Sequence, residues 1–240
     1  MTTLSLRGVR GGVGVSSLLA AVGYALESLG ERVLMIDMCP ENMLRLHFNL
    51  PAAESAGWAR AMLDGEDWSA QAWSVTPSLQ LLPYGQLTQD ESMLIEAQLS
   101  DDPLIWSRRQ ASLSAHYDWL LFDVPQRLSG HATIGPCLFP IRVAQADAAC
   151  HVLLLQPSAD TTPVLVNRFD PGSQLQRDLL LIWRKHHASR LLPLTVHADE
   201  ALSESLACKQ PVGQYAPDSL AAQDALSLAT WCLTRRGELE

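Results

Sequence analysis

The sequence predicts an α/β fold: a doubly wound, mostly parallel sheet with helices on both faces. Three observations carry that expectation. Apolar runs of strand length alternate with helical patterns of about 10 to 15 residues, the order that builds parallel βαβ units. A turn dense in glycine (Gly8, Gly11, Gly12, Gly14) stands between the first strand and the first helix. Two continuous apolar runs, one closing on Asp37 and one carrying Asp123, read as strands buried on both faces.

Each element has its own warrant. Thr3–Val9 is the first strand. Ser16–Leu29 follows as a helix, because Leu18, Leu19, Ala21, Val22, Ala25, Leu26 and Leu29 recur at helical spacing and Gly30 stands where a C-terminal cap belongs. Arg32–Asp37 is a strand. Ala53–Leu63 reads as a helix and Leu79–Leu82 as a short strand. Glu91–Ala115 is helical with an interruption at Asp102-Pro103, and Trp119–Val124 is a strand stopped by Pro125. Pro140–Ala146 and Pro163–Asn167 are strands. Gln174–Ala188 is a helix, Leu191–His197 a strand and Asp218–Leu233 the last helix.

The chain has 240 residues, without a linker-like break in composition and without repeats, so a single domain over 1–240 is expected. An apolar content of 48% is enough for a full core and excludes a disordered chain. Lys plus Arg number 17 against 26 Asp plus Glu, a formal charge of −9. That balance argues against a nucleic-acid footprint and against a polybasic membrane anchor. Met1–Leu6 has no signal-peptide pattern and no run reaches about 18 apolar residues, so a cytoplasmic protein is expected. The five cysteines are odd in number and lack zinc-site spacing, which reads as reduced thiols.

The glycine-rich turn carries the chemistry. Where a strand feeds a helix, the free N–H groups of the helix start and its dipole favour an anion, and glycines let the backbone approach it. Gly11-Gly12-Val13-Gly14-Val15-Ser16-Ser17 is therefore a phosphate cradle, with a ligand-free tight turn as the plain alternative. Two nucleotide classes compete for it. The dinucleotide fingerprint GxGxxG is met at Gly12 and Gly14 and fails at Ser17, while Asp37 lies where a ribose-binding carboxylate belongs. The mononucleotide loop GxxxxGK[ST] is met at Gly14 and Ser16, with Val9 for its first glycine and Val15 for its lysine. Hydroxyls at the helix start and a strand aspartate, Asp123, placed to hold Mg²⁺ favour the second class.

Arg10-Gly11-Gly12-Val13-Gly14 resembles the deviant Walker A loop of the MinD/ParA ATPases, a branch of the SIMIBI P-loop proteins, with Arg10 at the position of their signature cation. Cys39-Pro40-Glu41-Asn42-Met43-Leu44-Arg45-Leu46, Gly57–Gly65, Leu191-Leu192-Pro193 and Lys209-Gln210-Pro211-Val212-Gly213 are similar to the BcsQ (YhjQ) family of cellulose biosynthesis proteins within that class. The likeness runs from the first strand to about Leu233. It implies ATP and Mg²⁺ as ligands. Val9, Arg10, Gly11, Gly12, Val13, Gly14, Val15, Ser16 and Ser17 would form the nucleotide loop. Ser16, Asp37 and Asp123 would surround Mg²⁺, and Asn167, Arg168 and Pro211 would lie at the base. Arg10 would reach across an ATP-sandwich homodimer to the partner's phosphates, where its planar fork suits them.

Two departures bear on turnover. Val15 replaces a phosphate-binding lysine, and Cys39 replaces the aspartate that orients the attacking water. Losing a positioning group costs orders of magnitude in phosphoryl transfer. The resemblance thus implies an ATP-binding assembly or regulatory subunit of the cellulose-secretion machinery, with slow or absent hydrolysis. The alternatives are a competent MinD/ParA-type ATPase and an NAD-type dinucleotide binder. Expected partners are a second copy, the small protein BcsR, BcsE and the cellulose synthase complex, reached at the inner membrane through proteins and without direct insertion. Trp58, Trp68 and Trp73 read equally as core packing and as a docking surface. The tail Leu233–Glu240 carries two arginines and two glutamates, unlike a basic membrane helix.

Overall fold

The computed structural model describes residues 1–156 and 160–239. Eight strands form one sheet: β1 (Thr2–Gly8), β2 (Val33–Asp37), β3 (Trp73–Ser74), β4 (Leu79–Leu82), β5 (Trp119–Val124), β6 (Phe139–Gln145), β7 (Val164–Phe169) and β8 (Leu191–His197). Their spatial order is β3-β4-β2-β5-β1-β6-β7-β8, and only the β3–β4 pair is antiparallel. The helices are α1 (Val15–Ser28), α2 (Trp58–Asp64), α3 (Gln89–Asp101), α4 (Ile105–Leu113), α5 (Ala148–Leu155), α6 (Gln174–His186), α7 (Ala201–Ala207), α8 (Val212–Tyr215) and α9 (Leu220–Leu239).

Strand alternation divides the core. Leu4 and Leu6, Val33 and Met35, Trp119 and Leu121 face one side, where Leu18, Leu19 and Val22 of α1 and Ala225, Leu228 and Ala229 of α9 cover them. Leu34, Ile36, Leu120 and Phe122 face the other, under Trp58 of α2, Ile95 and Leu99 of α3 and Trp106 of α4. The period of two is the geometric consequence of successive side chains pointing to opposite faces. Because connecting helices lie on both sides, β2 and β5 are apolar but for Asp37 and Asp123.

The long elements fall where the sequence places them, to within a few residues. Helix α1 closes as expected: Gly30 has φ +92°, its N–H reaches Glu27 O at 2.9 Å, and Glu31 N reaches Leu26 O at 3.1 Å. That pair of bonds is a Schellman closure, which needs the left-handed residue. Asp102-Pro103 does separate α3 from α4.

Two helix bounds are corrected, and three helices are added. The helix foreseen over Ala53–Leu63 is confined to Trp58–Asp64. A Cβ on Gly57 would stand 2.2 Å from Gly85 N, so the chain before α2 runs extended against that backbone. The first amides of α2 then bond Pro83 O and Tyr84 O, each at 3.0 Å. Helix α5 has no counterpart in the sequence reading, because its short apolar run shows no helical period. The same holds for α7 and α8. The last helix continues to Leu239, and Glu240 of the tail lies outside the described residues.

The tryptophans separate. Trp58 is fully buried, Trp68 is half-buried and Trp73 is 42% exposed. Trp58 is therefore core and offers nothing to a partner. In the tail, Arg235 pairs with Glu238 at 2.8 Å and Arg236 with Glu31 at 2.6 Å, so the arginines present no basic face. Among the described residues no helix is long and apolar enough to cross a membrane.

Candidate nucleotide-binding site

The site is built where β1 turns into α1. Gly12 (φ +76°) and Gly14 (φ +86°) take the left-handed conformation that side chains resist, and Gly14 is the N-cap of α1. A Cβ on Gly14 would also meet Asn167 Nδ2 at 2.8 Å. Upstream, a Cβ on Gly8 would come within 2.5 Å of Arg10 O, so the loop can fold back only over a glycine. Val9 and Val13 are buried and anchor the loop, while Gly11 and Gly12 are exposed. Val15, Ser16 and Ser17 form the first turn of α1, whose N–H groups lack intrahelical acceptors.

A cavity of about 540 Å³ opens in front of this turn. Arg10, Gly11, Gly12, Gly14, Val15, Ser16 and Ser17 line it together with Cys39, Asp123 and Arg168. Asn167 and Arg168 close a neighbouring cavity of about 680 Å³ that shares Gly14, Ser17 and Arg168. Pro211 is not brought to either. It lines a separate cavity with Phe48 and Val75, because the chain turns away through α7 before reaching it. Ala198 and Asp199 stand at the second cavity instead. The sequence signal for them is their place at the carboxyl end of β8, where ligands bind in open parallel sheets.

The two strand-end aspartates are register partners on β2 and β5 and are buried. Their surroundings differ. Asp37 Oδ1 accepts from Cys39 N at 2.9 Å and Oδ2 from Leu44 N at 3.1 Å. Trp58 Nε1 donates to Asp37 O at 2.8 Å and ties α2 to the end of β2. Asp123 Oδ2 has no hydrogen-bond partner despite its burial. Burial raises the Asp37 carboxyl above its ordinary range, with the Asp123 charge adding to it. Burial likewise lifts Asp123 to about 6, against the pull of hydrogen bonds from Ser16 and Cys39.

An orphaned carboxylate oxygen beside a second carboxyl and a serine hydroxyl suits a hard, oxygen-seeking cation. Mg²⁺ fits this donor set. Ligand atoms of Asp37, Cys39 and Asp123 lie within 4.8 Å of one another, but the thiol is no part of such a set. Burial and both aspartates push its pKa up, and Sγ lies 3.6 Å from Asp123 Oδ1 as a donor. A thiol held protonated is neither a nucleophile nor a base. Asp37 is buried, and each of its oxygens already accepts a backbone N–H.

In the second cavity, Asn167 Nδ2 donates to Val13 O at 2.8 Å, while Oδ1 is buried without a partner. Arg168 Nη1 donates to Gly12 O at 3.2 Å. Arg10 is engaged within its own subunit: Nη2 pairs with Asp147 and lies 3.1 Å from Gln145 Oε1, and Nη1 donates to Gly11 O at 2.7 Å. Asp147 is at the same time the N-cap of α5, accepting from Cys150 N at 2.8 Å. Sequence reasoning missed Asp147 because nothing in one dimension links it to residue 10.

Comparison with known proteins agrees with this geometry. The sequence model of the family "Cellulose biosynthesis protein BcsQ" matches residues 1–233. The Escherichia coli K12 cellulose biosynthesis protein BcsQ is 43% identical over 97% of this chain and 94% of its own. Among solved structures, a ParA family ATPase from Chlorobium tepidum superposes with a TM-score of 0.75 at 20% identity, over 95% of this chain and 98% of that one. The septum site-determining protein MinD of Pyrococcus horikoshii, complexed with Mg-ADP, gives 0.70 at 19% identity, over 95% and 94%. These two structures establish the shared fold.

Proposed function

Because this chain belongs to the cellulose biosynthesis protein BcsQ family, we propose that it is an ATP-binding assembly or regulatory subunit of a bacterial cellulose-secretion machinery. One observation carries the reading. A glycine loop at the start of α1 faces a buried carboxylate oxygen, Asp123 Oδ2, that has no partner of its own. The loop would take the phosphates and Asp123 with Ser16 would take Mg²⁺. The fold is shared with a MinD protein complexed with Mg-ADP, which supports the ligand pair. Mg²⁺ would supply charge neutralisation for the phosphates.

The remaining groups then have assignable work. Asn167 Oδ1, its amide nitrogen already committed, is an acceptor and suits an amino group on the base edge, as adenine offers. Val15 presents no charge to the phosphates, and the protonated Cys39 thiol does not orient a water. Both favour binding without useful turnover. Nucleotide held between two copies would stabilise a homodimer by mass action. Arg10 would exchange Asp147 for the partner's phosphates, a like-for-like swap of one oxyanion for another. The dimer would dock BcsR, BcsE and the cellulose synthase complex and so reach the inner membrane through proteins.

Titration calorimetry with ATP, with and without Mg²⁺, tests binding. Mg²⁺-dependent saturation is expected, and NAD binding independent of Mg²⁺ would overturn the reading. Single-turnover hydrolysis tests the inert switch. Product at about 1 s⁻¹ or faster, in the range of ordinary enzymes, would make the protein a working ATPase.

A further inference from the structure

On the face where β2 and β5 carry Leu34, Ile36, Leu120 and Phe122, the neighbouring β1–β6 pair carries arginines. Arg7 and Arg142 are register partners on adjacent parallel strands. Directly opposed side chains on one face are close neighbours, and like charges there repel. Both line a cavity of about 470 Å³ behind the glycine loop. It shares Gly8, Val124 and Gln126 with the nucleotide cavity, and Arg7, Cys137, Arg142 and Asp160 line it alone.

The pair is only partly compensated. Arg142 Nη1 meets Asp160 Oδ2 at 3.1 Å. Arg7 Nη2 donates to Gln126 O at 2.5 Å, a neutral acceptor. Burial, then the charge of Arg142, lowers the Arg7 pKa, and the Asp160 charge only partly opposes them. Among the described residues of the lining, the guanidiniums of Arg7 and Arg142 share one carboxylate, Asp160.

We propose that the cavity between β1, β6 and the 126–137 loop is a second oxyanion site, which takes a phosphate group on the paired forks of Arg7 and Arg142. A phosphate fits better than a carboxylate. One guanidinium satisfies both oxygens of a carboxylate, whereas two forks on adjacent strands can share the three or four oxygens of a phosphate. The site is distinct from the glycine loop, since no residue of the 11–17 turn lines it.

The test is calorimetric titration with inorganic phosphate, on the full chain and on the double variant R7Q/R142Q, each with and without saturating Mg-ATP. Expected is a phosphate-binding component in the unaltered chain that ATP does not displace and that R7Q/R142Q weakens tenfold or more. Absence of that component, or equal binding by the double variant, would overturn the site. If Mg-ATP itself fails to bind, the component removed by R7Q/R142Q is still read, so the two readings fail separately. R7K and R142K, which keep charge and lose the fork, guard against misfolding: weakened phosphate binding with unchanged melting supports the site, and full retention of affinity in both overturns the fork geometry. Glucose 6-phosphate in place of inorganic phosphate distinguishes the source. Tighter binding of the ester points to a phosphorylated metabolite, and equal affinity to free phosphate. Either supports the site.

Discussion

At the scale of single residues, two positions test the proposal that hydrolysis is slow or absent. Val15 stands in the first turn of α1 and Cys39 donates to Asp123 at the mouth of the same cavity. V15K restores a charge next to the phosphates, and C39D restores a carboxylate at the third corner of the acidic cluster. Each alone is expected to leave single-turnover hydrolysis slow, and the double variant to raise it by about 10²-fold or more. A rise of that size with V15K alone would show that Cys39 was not limiting. His47 offers a cleaner titration. It lies in the 3-10 turn Leu44–Phe48, is 3% exposed, and burial lowers its pKa to about 4. An unfolded histidine protonates near 6.5. The neutral ring's contribution is thus complete above pH 6.5 and is lost as pH falls toward 4, up to about 3 kcal/mol. Melting curves should show H47N less acid-sensitive than the parent across that window; identical pH profiles would refute the assignment.

At the scale of elements, the carboxylates are placed by contacts between segments far apart in sequence. Helix α2 is one turn longer than a nucleus and does not stand by propensity alone. It is held by carbonyls of residues 83 and 84, by Trp58 against Tyr84 and Trp106 at 5.1 Å, and by the indole bond to Asp37 O. W58F removes the donor and part of a buried ring. The expected cost is about 2–3 kcal/mol in urea unfolding, from an unpaired buried group and a small cavity. A cost below about 0.5 kcal/mol would show that α2 does not brace the end of β2. The sequence placed a helix here but began it at Ala53, since periodicity is blind to the extended approach that Gly57 and Gly85 require.

At the scale of the whole molecule, Arg10 has two destinations. In one subunit it pairs with Asp147, and in an ATP-held dimer it would face the partner's phosphates. Light scattering with Mg-ATP should find the parent dimeric and R10A monomeric at the same concentration. The melting temperature of R10A should move by less than about 2–4 °C, because a partly exposed ion pair contributes about 1 kcal/mol or less. An unchanged dimer in R10A would remove the cross-subunit role. Wider use of charge fits the same picture. In a chain of net charge −9, both arginines of α9 are ion-paired, Arg235 with Glu238 and Arg236 with Glu31.

Much of this was legible in one dimension. Apolar period and turn chemistry determine the long strands, the long helices and the left-handed glycines, because these depend on neighbours a few residues away, whereas the two-residue strand β3 had no counterpart in the sequence reading. The loop of residues 10 to 17 and the strand-end aspartates follow from the same local rules, and so does the family resemblance that joins them. Tertiary structure alone decided the rest. It put Asp147 on Arg10, separated Pro211 from the cavity at the glycine loop, buried Trp58 and left Asp123 Oδ2 unpaired. It also set Arg7 beside Arg142, which lie on strands paired only after the sheet has formed. The reason is physical: burial, pairing and orphaned charge are properties of what surrounds a side chain, and in a crossed parallel sheet those surroundings come from segments more than a hundred residues apart.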